Sequence, residues 1–292
     1  MSKNLVAIIG GSGVKDGPMF DGAEWKRHHA NFSNGFAAGQ VEYQERDGVT
    51  FIPRHGNAKR FGPSKTQYAA NLIIAKELGA RVVIATSAVG SLHGNRIGVE
   101  SLVVPDDFID ESGRNDNLYG EGLVVHTSPI PPFSEQLRVI LLSQAGSPGE
   151  CFSKIHDKGV YVVIPGDRFG TKAEGKRRGQ YADIVGMTIA PEAAIALQLG
   201  LHYAVAAFPV DTNIDANHEG GTEEVMRRLS APERVPAYME RVVDEAKKFA
   251  PSAPLLPQLQ GNIIPGDVSS LENRFLRKFG QELMDTYCDR AA

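Results

Sequence analysis

Short apolar runs of strand length recur along this chain, at Leu5 to Ile9, Thr50 to Pro53, Val82 to Thr86, Ser101 to Pro105, Gly159 to Ile164, Asp183 to Met187 and Tyr203 to Val210. Runs this uniformly apolar suit strands buried on both faces, as in the sheets of α/β proteins. Helix-like segments lie between several of them. Ser64 to Leu78 follows Pro63, sets Tyr68, Leu72, Ala75 and Leu78 near one helical face, and ends at Gly79, where a C-cap belongs. Pro191 likewise opens a segment from Glu192 to Leu199 that Gly200 closes. The alternation predicts an α/β fold, a central sheet flanked by helices on both faces. At 292 residues, 42% of them hydrophobic, the chain can fill one large domain.

After Ala250, the run Pro251-Ser252-Ala253-Pro254-Leu255-Leu256-Pro257 is too proline-rich for a helix, and Ser269 to Tyr287 then resumes a helical pattern. The tail therefore reads as an extension of the main domain. Its stripe of Leu271, Phe275, Phe279, Leu283 and Met284 is expected to dock on that domain or on a neighbouring subunit. The polar, glycine-rich stretch from Asp110 to Gly122 reads as a long surface loop.

A net charge of −4 gives no general attraction to polyanions, which argues against nucleic-acid binding. The two cysteines, Cys151 and Cys288, have neither metal-ligand spacing nor a disulfide-rich pattern. The apolar run at the N-terminus is short for a signal peptide, and no segment has the apolar length of a membrane span. A cytoplasmic location with no membrane association is expected.

Five strand ends carry the chemistry. Ser87-Ala88-Val89-Gly90-Ser91-Leu92 follows a buried strand with small hydroxyl residues and a glycine, which lets backbone N–H groups approach an anion. Ile8-Ile9-Gly10-Gly11-Ser12-Gly13 repeats the transition, without the spacing of a dinucleotide fingerprint. Phe51-Ile52-Pro53-Arg54-His55-Gly56 adds an arginine whose fork suits phosphate oxygens, and a histidine beside it. Gly186-Met187-Thr188-Ile189-Ala190-Pro191-Glu192 places Thr188 at a helix N-terminus, as a cap or an anion ligand. Finally, Phe208-Pro209-Val210-Asp211-Thr212-Asn213 sets a carboxylate at the end of another strand, to bond a heterocycle or to cap the next segment.

In their order along the chain, and with the Arg168-Phe169 segment, these motifs resemble the trimeric purine nucleoside phosphorylases, most closely the 5′-methylthioadenosine phosphorylases, from Val6 to about Val225. The resemblance implies a single nucleoside phosphorylase domain over residues 1–250 with a twisted mixed sheet, followed by a C-terminal helical extension over 251–292. It implies a homotrimer, alone or paired as a dimer of trimers, and phosphorolysis of a purine nucleoside with inorganic phosphate as co-substrate and neither metal nor organic cofactor. Ser12, Arg54, His55, Ser87, Ala88 and Thr188 would hold phosphate. Met187, Phe169, Val89, Gly90 and Asn213 would line ribose and base, and Asp211 would act at the purine. His126 matches a histidine that family members lend to the neighbouring subunit's 5′ pocket.

The chain departs from the family pattern at Asp167, where a proline is usual, and at Lys59 and Asn213, where a histidine and a second aspartate are usual. Glu223, Glu224, Arg227 and Arg228 fall in Thr222 to Leu229, a segment usually apolar beside the 5′ group. Aspartate at 211 favours an adenine nucleoside such as 5′-methylthioadenosine, and the alternative is a 6-oxopurine nucleoside such as inosine, guanosine or methylthioinosine. A non-catalytic nucleoside-binding protein would not need the phosphate half, and a dinucleotide-dependent oxidoreductase would account for the first glycine turn alone.

Overall fold

The apolar runs become strands of one eleven-stranded mixed sheet in a computed structural model that describes residues 5–11, 14, 18–30, 39–58, 60–119, 122–147, 149–212, 234–271 and 273–288. In chain order the strands are β1 (Val6–Gly10), β2 (Lys26–Ala30), β3 (Gly39–Arg46), β4 (Val49–Pro53), β5 (Val82–Ser91), β6 (Leu102–Val103), β7 (Asp107–Asp110), β8 (Val124–Val125), β9 (Ile155–His156), β10 (Val160–Val163), β11 (Ile184–Gly186), β12 (His202–Thr212) and β13 (Ile263–Ile264). The sheet runs β2-β3-β4-β1-β5-β11-β10-β7, with β12 on β5 and leading on to β6 and β9; β8 and β13 form a separate ribbon.

Alternate residues of the central strands enter two different cores, which is what burial on both faces requires. Ala7, Ile9, Val83, Ala85 and Val205 meet the helices α1 (Tyr68–Glu77), α4 (Ile189–Gln198) and α6 (Arg274–Tyr287) on one face. Val6, Ile8, Val82, Ile84 and Ala204 meet α2 (Glu135–Ser143) and α5 (Arg234–Phe249) on the other. The remaining described helix is α3 (Lys172–Arg178).

The strand expected to end at Thr86 continues to Ser91, because β12 pairs with β5 along its whole length and leaves the chain no cause to turn. The helix expected from Ser64 begins at Tyr68, behind a 3-10 turn over Pro63–Lys65. The helix expected to open at Pro191 includes Ile189, with a non-helical backbone at Ala190.

The tail's apolar stripe is covered within this chain. Leu271, Phe275, Phe279 and Leu283 are buried in the α1–α4 core, and α6 starts at Arg274 because the Asn273 side chain accepts from the amides of Phe275 and Leu276. Ion pairs from Lys76 to Glu282 and from Lys278 to Glu77 tie α6 to α1. No described helix is long and apolar enough to cross a membrane.

Candidate active site

The sheet divides at β5. On one side β1 runs parallel to it as far as Ile9 opposite Ala85, and β11 then runs antiparallel from Val185 opposite Gly90. Between these pairings, Thr86 to Val89 have no strand neighbour on that side among the described residues. A parting of sheet neighbours beyond the carboxyl ends of parallel strands is where α/β proteins bind ligands.

Ser87 and Thr188 meet at this parting, with Ser87 Oγ 3.1 Å from Thr188 Oγ1 and 2.9 Å from the Tyr161 hydroxyl. Thr188 holds the N-cap position of α4, yet its side chain makes no capping bond and turns to Ser87 instead. Ser87 and Thr188 are buried, Tyr161 wholly so, and Ala88 is partly exposed beside them.

Arg54 reaches the same place from the end of β4, but its fork is already engaged. Nε and Nη2 donate to the two carboxylate oxygens of Glu192, each at 2.9 Å, while Nη1 donates to the Thr86 carbonyl and Nη2 to that of Ile9. The fork expected to grip phosphate is therefore taken by a carboxylate, because a guanidinium only 2% exposed needs a counter-charge. Of its five N–H donors, four are taken by described residues and one on Nη1 has no partner among them. Burial works against the charge on Arg54, and Glu192 more than offsets it, raising the pKa above the usual arginine value. Tyr203 donates to the same carboxylate at 2.7 Å, and Asn71 donates to the Arg54 carbonyl at 3.2 Å.

His55 is held in one tautomer. Its Nδ1 lies 3.0 Å from the Phe61 carbonyl, which can only accept, and 3.0 Å from Thr66 Oγ1, whose proton goes to the Gly62 carbonyl. Nδ1 therefore carries the hydrogen and Nε2 a lone pair. Burial first, and the Arg54 cation second, bring the imidazole pKa down to about 4.

On the base side, β12 carries Asp211 opposite Gly90. The register slips between Pro209 and Asp211, so Val210 is an extra residue that re-aims the carboxylate. Asp211 is half-buried, with Oδ1 shielded from solvent, and lies within β12, while the segment it was expected to cap falls outside the described residues. Val89 is buried one step earlier on β5.

Phe169 is 43% exposed, on a loop stiffened by the bidentate pair from Arg168 to Glu174 and by the capping box between Glu174 and Thr171. Asp167, the departure from the family pattern, holds the loop from the other side: its carboxylate accepts from the Ser64 amide and the Ser64 hydroxyl, both at 3.0 Å. Gly62 makes room for it, since a Cβ there would stand 2.7 Å from Asp167 Oδ1.

Met187 is partly exposed against Gly166 of this loop, and its carbonyl accepts from Arg114 Nη1 at 2.7 Å. The same guanidinium nitrogen donates to the Ala190 carbonyl at 2.8 Å, and Nη2 donates to that of Pro165. His126 is exposed at the end of β8, with its amide donating to the Asn262 carbonyl at 2.8 Å, and among the described residues it takes no part in the hydrogen bonds of these groups. Ser12, Asn213, Lys59 and the segment Thr222 to Leu229 lie outside the described residues.

Tyr161, Glu192 and Arg114 received no role from sequence. Tyr161 sits in the apolar run of β10, where one hydroxyl is easily read as core. Glu192 follows a proline at a helix mouth and passes for a first-turn acid, although it is 0% exposed. Arg114 belongs to a polar loop without periodicity. Among the described residues, no group of three or more His, Cys, Asp or Glu side chains is placed to hold a metal ion.

Residues 6–246 match the family model described as the phosphorylase superfamily. The chain is 38% identical over 227 residues to the S-methyl-5′-thioadenosine phosphorylase of Hyperthermus butylicus, a span taking in 76% of this chain and 81% of that one. It is 35% identical over 242 residues to the enzyme of that name from Pyrococcus furiosus, covering 82% and 91%. The crystal structure of a methylthioadenosine phosphorylase from an Antarctic soil metagenomic library aligns with TM-score 0.75 at 27% identity, over 90% of this chain and 93% of that one. The Schistosoma mansoni methylthioadenosine phosphorylase in complex with adenine aligns with TM-score 0.71 at 25% identity, over 97% and 98%. By fold, by the order of its strand-end motifs and by these likenesses, this chain belongs to the 5′-methylthioadenosine phosphorylase family of the phosphorylase superfamily.

Proposed function

We propose that the protein phosphorolyses a 5′-modified adenosine, 5′-methylthioadenosine first among them, to adenine and the 5-substituted ribose 1-phosphate. The observation that carries this is the pairing of two chemistries on adjacent strands. Hydroxyl and cationic groups gather at Ser87 on β5, and a carboxylate stands at Asp211 on β12, opposite Gly90 three residues further along β5.

In the reaction a phosphate oxygen bonds to C1′ as the C1′–N9 bond breaks, and the proton of monohydrogen phosphate is matched by one gained by the departing adenine. Ser87, Thr188 and Arg54, with Ser12 and Ala88, hold the anion near C1′, where positive charge develops on the ribose, and the neutral His55 meets it as an acceptor, Nε2 taking a hydrogen bond from the P–OH of monohydrogen phosphate. Asp211 in its protonated form donates to N7 and accepts from the 6-amino group, which an oxopurine does not offer. Met187 lies under the ribose, and Phe169 covers the base with Val89 and Gly90. Phosphate is the co-substrate, and the mechanism calls on neither metal nor organic cofactor.

The assembly that fits this reading is a trimer, in which His126 on its exposed ribbon reaches a neighbour's 5′ pocket. Exposed Val124 and Ile264 beside it, 40% and 55% accessible in the single chain, support a contact there. Light scattering of the active enzyme tests this, and an active monomer would defeat it. The decisive assay is base release from 5′-methylthioadenosine, adenosine, inosine and methylthioinosine with and without phosphate. Adenine released only with phosphate is expected, and release of hypoxanthine in its place would overturn the role given to Asp211.

A further inference from the structure

Tyr161 is fully buried on β10, yet its hydroxyl turns toward the anion groups, 2.9 Å from Ser87 Oγ and also facing Thr188. The position is built for it: a Cβ at Gly186 on the adjacent strand would stand 1.9 Å from the phenol oxygen, so the glycine is what lets a tyrosine lie there. Burial raises the phenol's pKa above its ordinary value and keeps the proton in place.

Ser87 stands between the other two hydroxyls, in contact with Tyr161 and with Thr188. A phenol is a stronger acid than an alcohol, so Tyr161 is the natural donor to Ser87. Ser87 then accepts from behind, and its own proton is directed to Thr188 or to a ligand. When an anion enters, Ser87 and Thr188 can both turn their protons onto it while the buried phenol stays bonded. A hydroxyl that accepts one hydrogen bond is polarised into a better donor for the next.

On the reading of the site given above, we infer that Tyr161 is a positioning residue for phosphate, one that orients and polarises the Ser87 hydroxyl without touching the substrate. Its removal weakens phosphate binding and leaves the nucleoside half alone.

The test is Tyr161→Phe, which keeps the ring and removes the hydroxyl. The KM for phosphate rises roughly five- to twentyfold, the range for losing one hydrogen bond that serves a charged ligand. The KM for 5′-methylthioadenosine and kcat at saturating phosphate stay within about twofold, as expected when lost binding is confined to one substrate. Protection of the protein by phosphate against thermal unfolding weakens in parallel, a readout that needs no turnover.

Site-specific 3-fluorotyrosine at position 161 covers the case in which the phenylalanine variant does not fold. It keeps shape and bond but strengthens the donor, and the phosphate KM falls by about twofold. An unchanged phosphate KM in the variants that fold, or an equal rise in both KM values, overturns the assignment. Base release by the wild-type enzyme without phosphate would instead sink the phosphorylase reading, a failure distinct from that of Tyr161.

Discussion

Arg54 and Glu192, 138 positions apart in sequence, form a bidentate pair whose side chains are 2% and 0% exposed. The pair joins the end of β4 to the first turn of α4. It fixes the guanidinium before any anion arrives and, among the described residues, leaves a single N–H for it.

Glu192→Gln removes half of that pair and strands a buried cation. Loss of one partner of a buried ion pair costs about 3–5 kcal/mol, so the urea midpoint should fall by that much stability. The KM for phosphate should rise with it, since Arg54 loses its fixed orientation. An unchanged midpoint would show that Arg54 finds another counter-charge.

Asp211→Asn separates the two halves of the site. Loss of a general acid lowers turnover of adenine nucleosides by about 10²- to 10⁴-fold, with little change in the KM for phosphate. Adenine-nucleoside kinetics equal to wild type would remove Asp211 from the mechanism.

His55 sets part of the pH dependence of stability. Its folded pKa of about 4 lies below the ordinary value of 6.5, so the unfolded chain takes up a proton that the native state refuses. The stability this neutral imidazole confers is fully present above pH 6.5 and is lost as pH falls toward 4. The slope is at most about 1.4 kcal/mol per pH unit. Burial depresses the pKa of His202 as well, adding to the loss in the same direction. Denaturation curves between pH 4 and 7 should show this slope, and His55→Gln should flatten it. The same slope in the variant would place its origin elsewhere.

Asp167→Ala cuts the loop carrying Phe169 from Ser64. The KM for the nucleoside should rise by about fivefold, the scale of one or two lost hydrogen bonds at a partly wet site, with the phosphate KM unmoved. Steady-state kinetics against each substrate in turn decide this, and a shift in the phosphate KM alone would contradict the assignment.

The strand ends were legible because burial on both faces leaves continuous apolar runs, and the small or charged residues that end them stand out. Ser87, Arg54, His55 and Thr188 came from that contrast, and the structure brings Ser87, Thr188 and the Arg54 guanidinium to one parting in the sheet. What sequence could not supply was partnership across the chain. That Arg54 spends its fork on Glu192, that Thr188 turns to Ser87 instead of capping α4, and that Tyr161 stands behind both depends on residues far apart in sequence. The bulge at Val210 was equally hidden, since nothing in Phe208-Pro209-Val210-Asp211 tells that one residue is surplus to the pairing. Arg114 was lost in a loop whose composition says only that it is wet.

The change of neighbour along β5 divides the site by how freely each half can vary. The anion groups hang from strands and a helix mouth packed between two cores, where displacement costs a share of the whole fold's stability. Phe169, Asp167 and Arg114 hang from loops joined to the rest by a few hydrogen bonds, where substitution is cheap. A lineage of such proteins could change which nucleoside it accepts by editing those loops, while its use of phosphate stays tied to the survival of the fold.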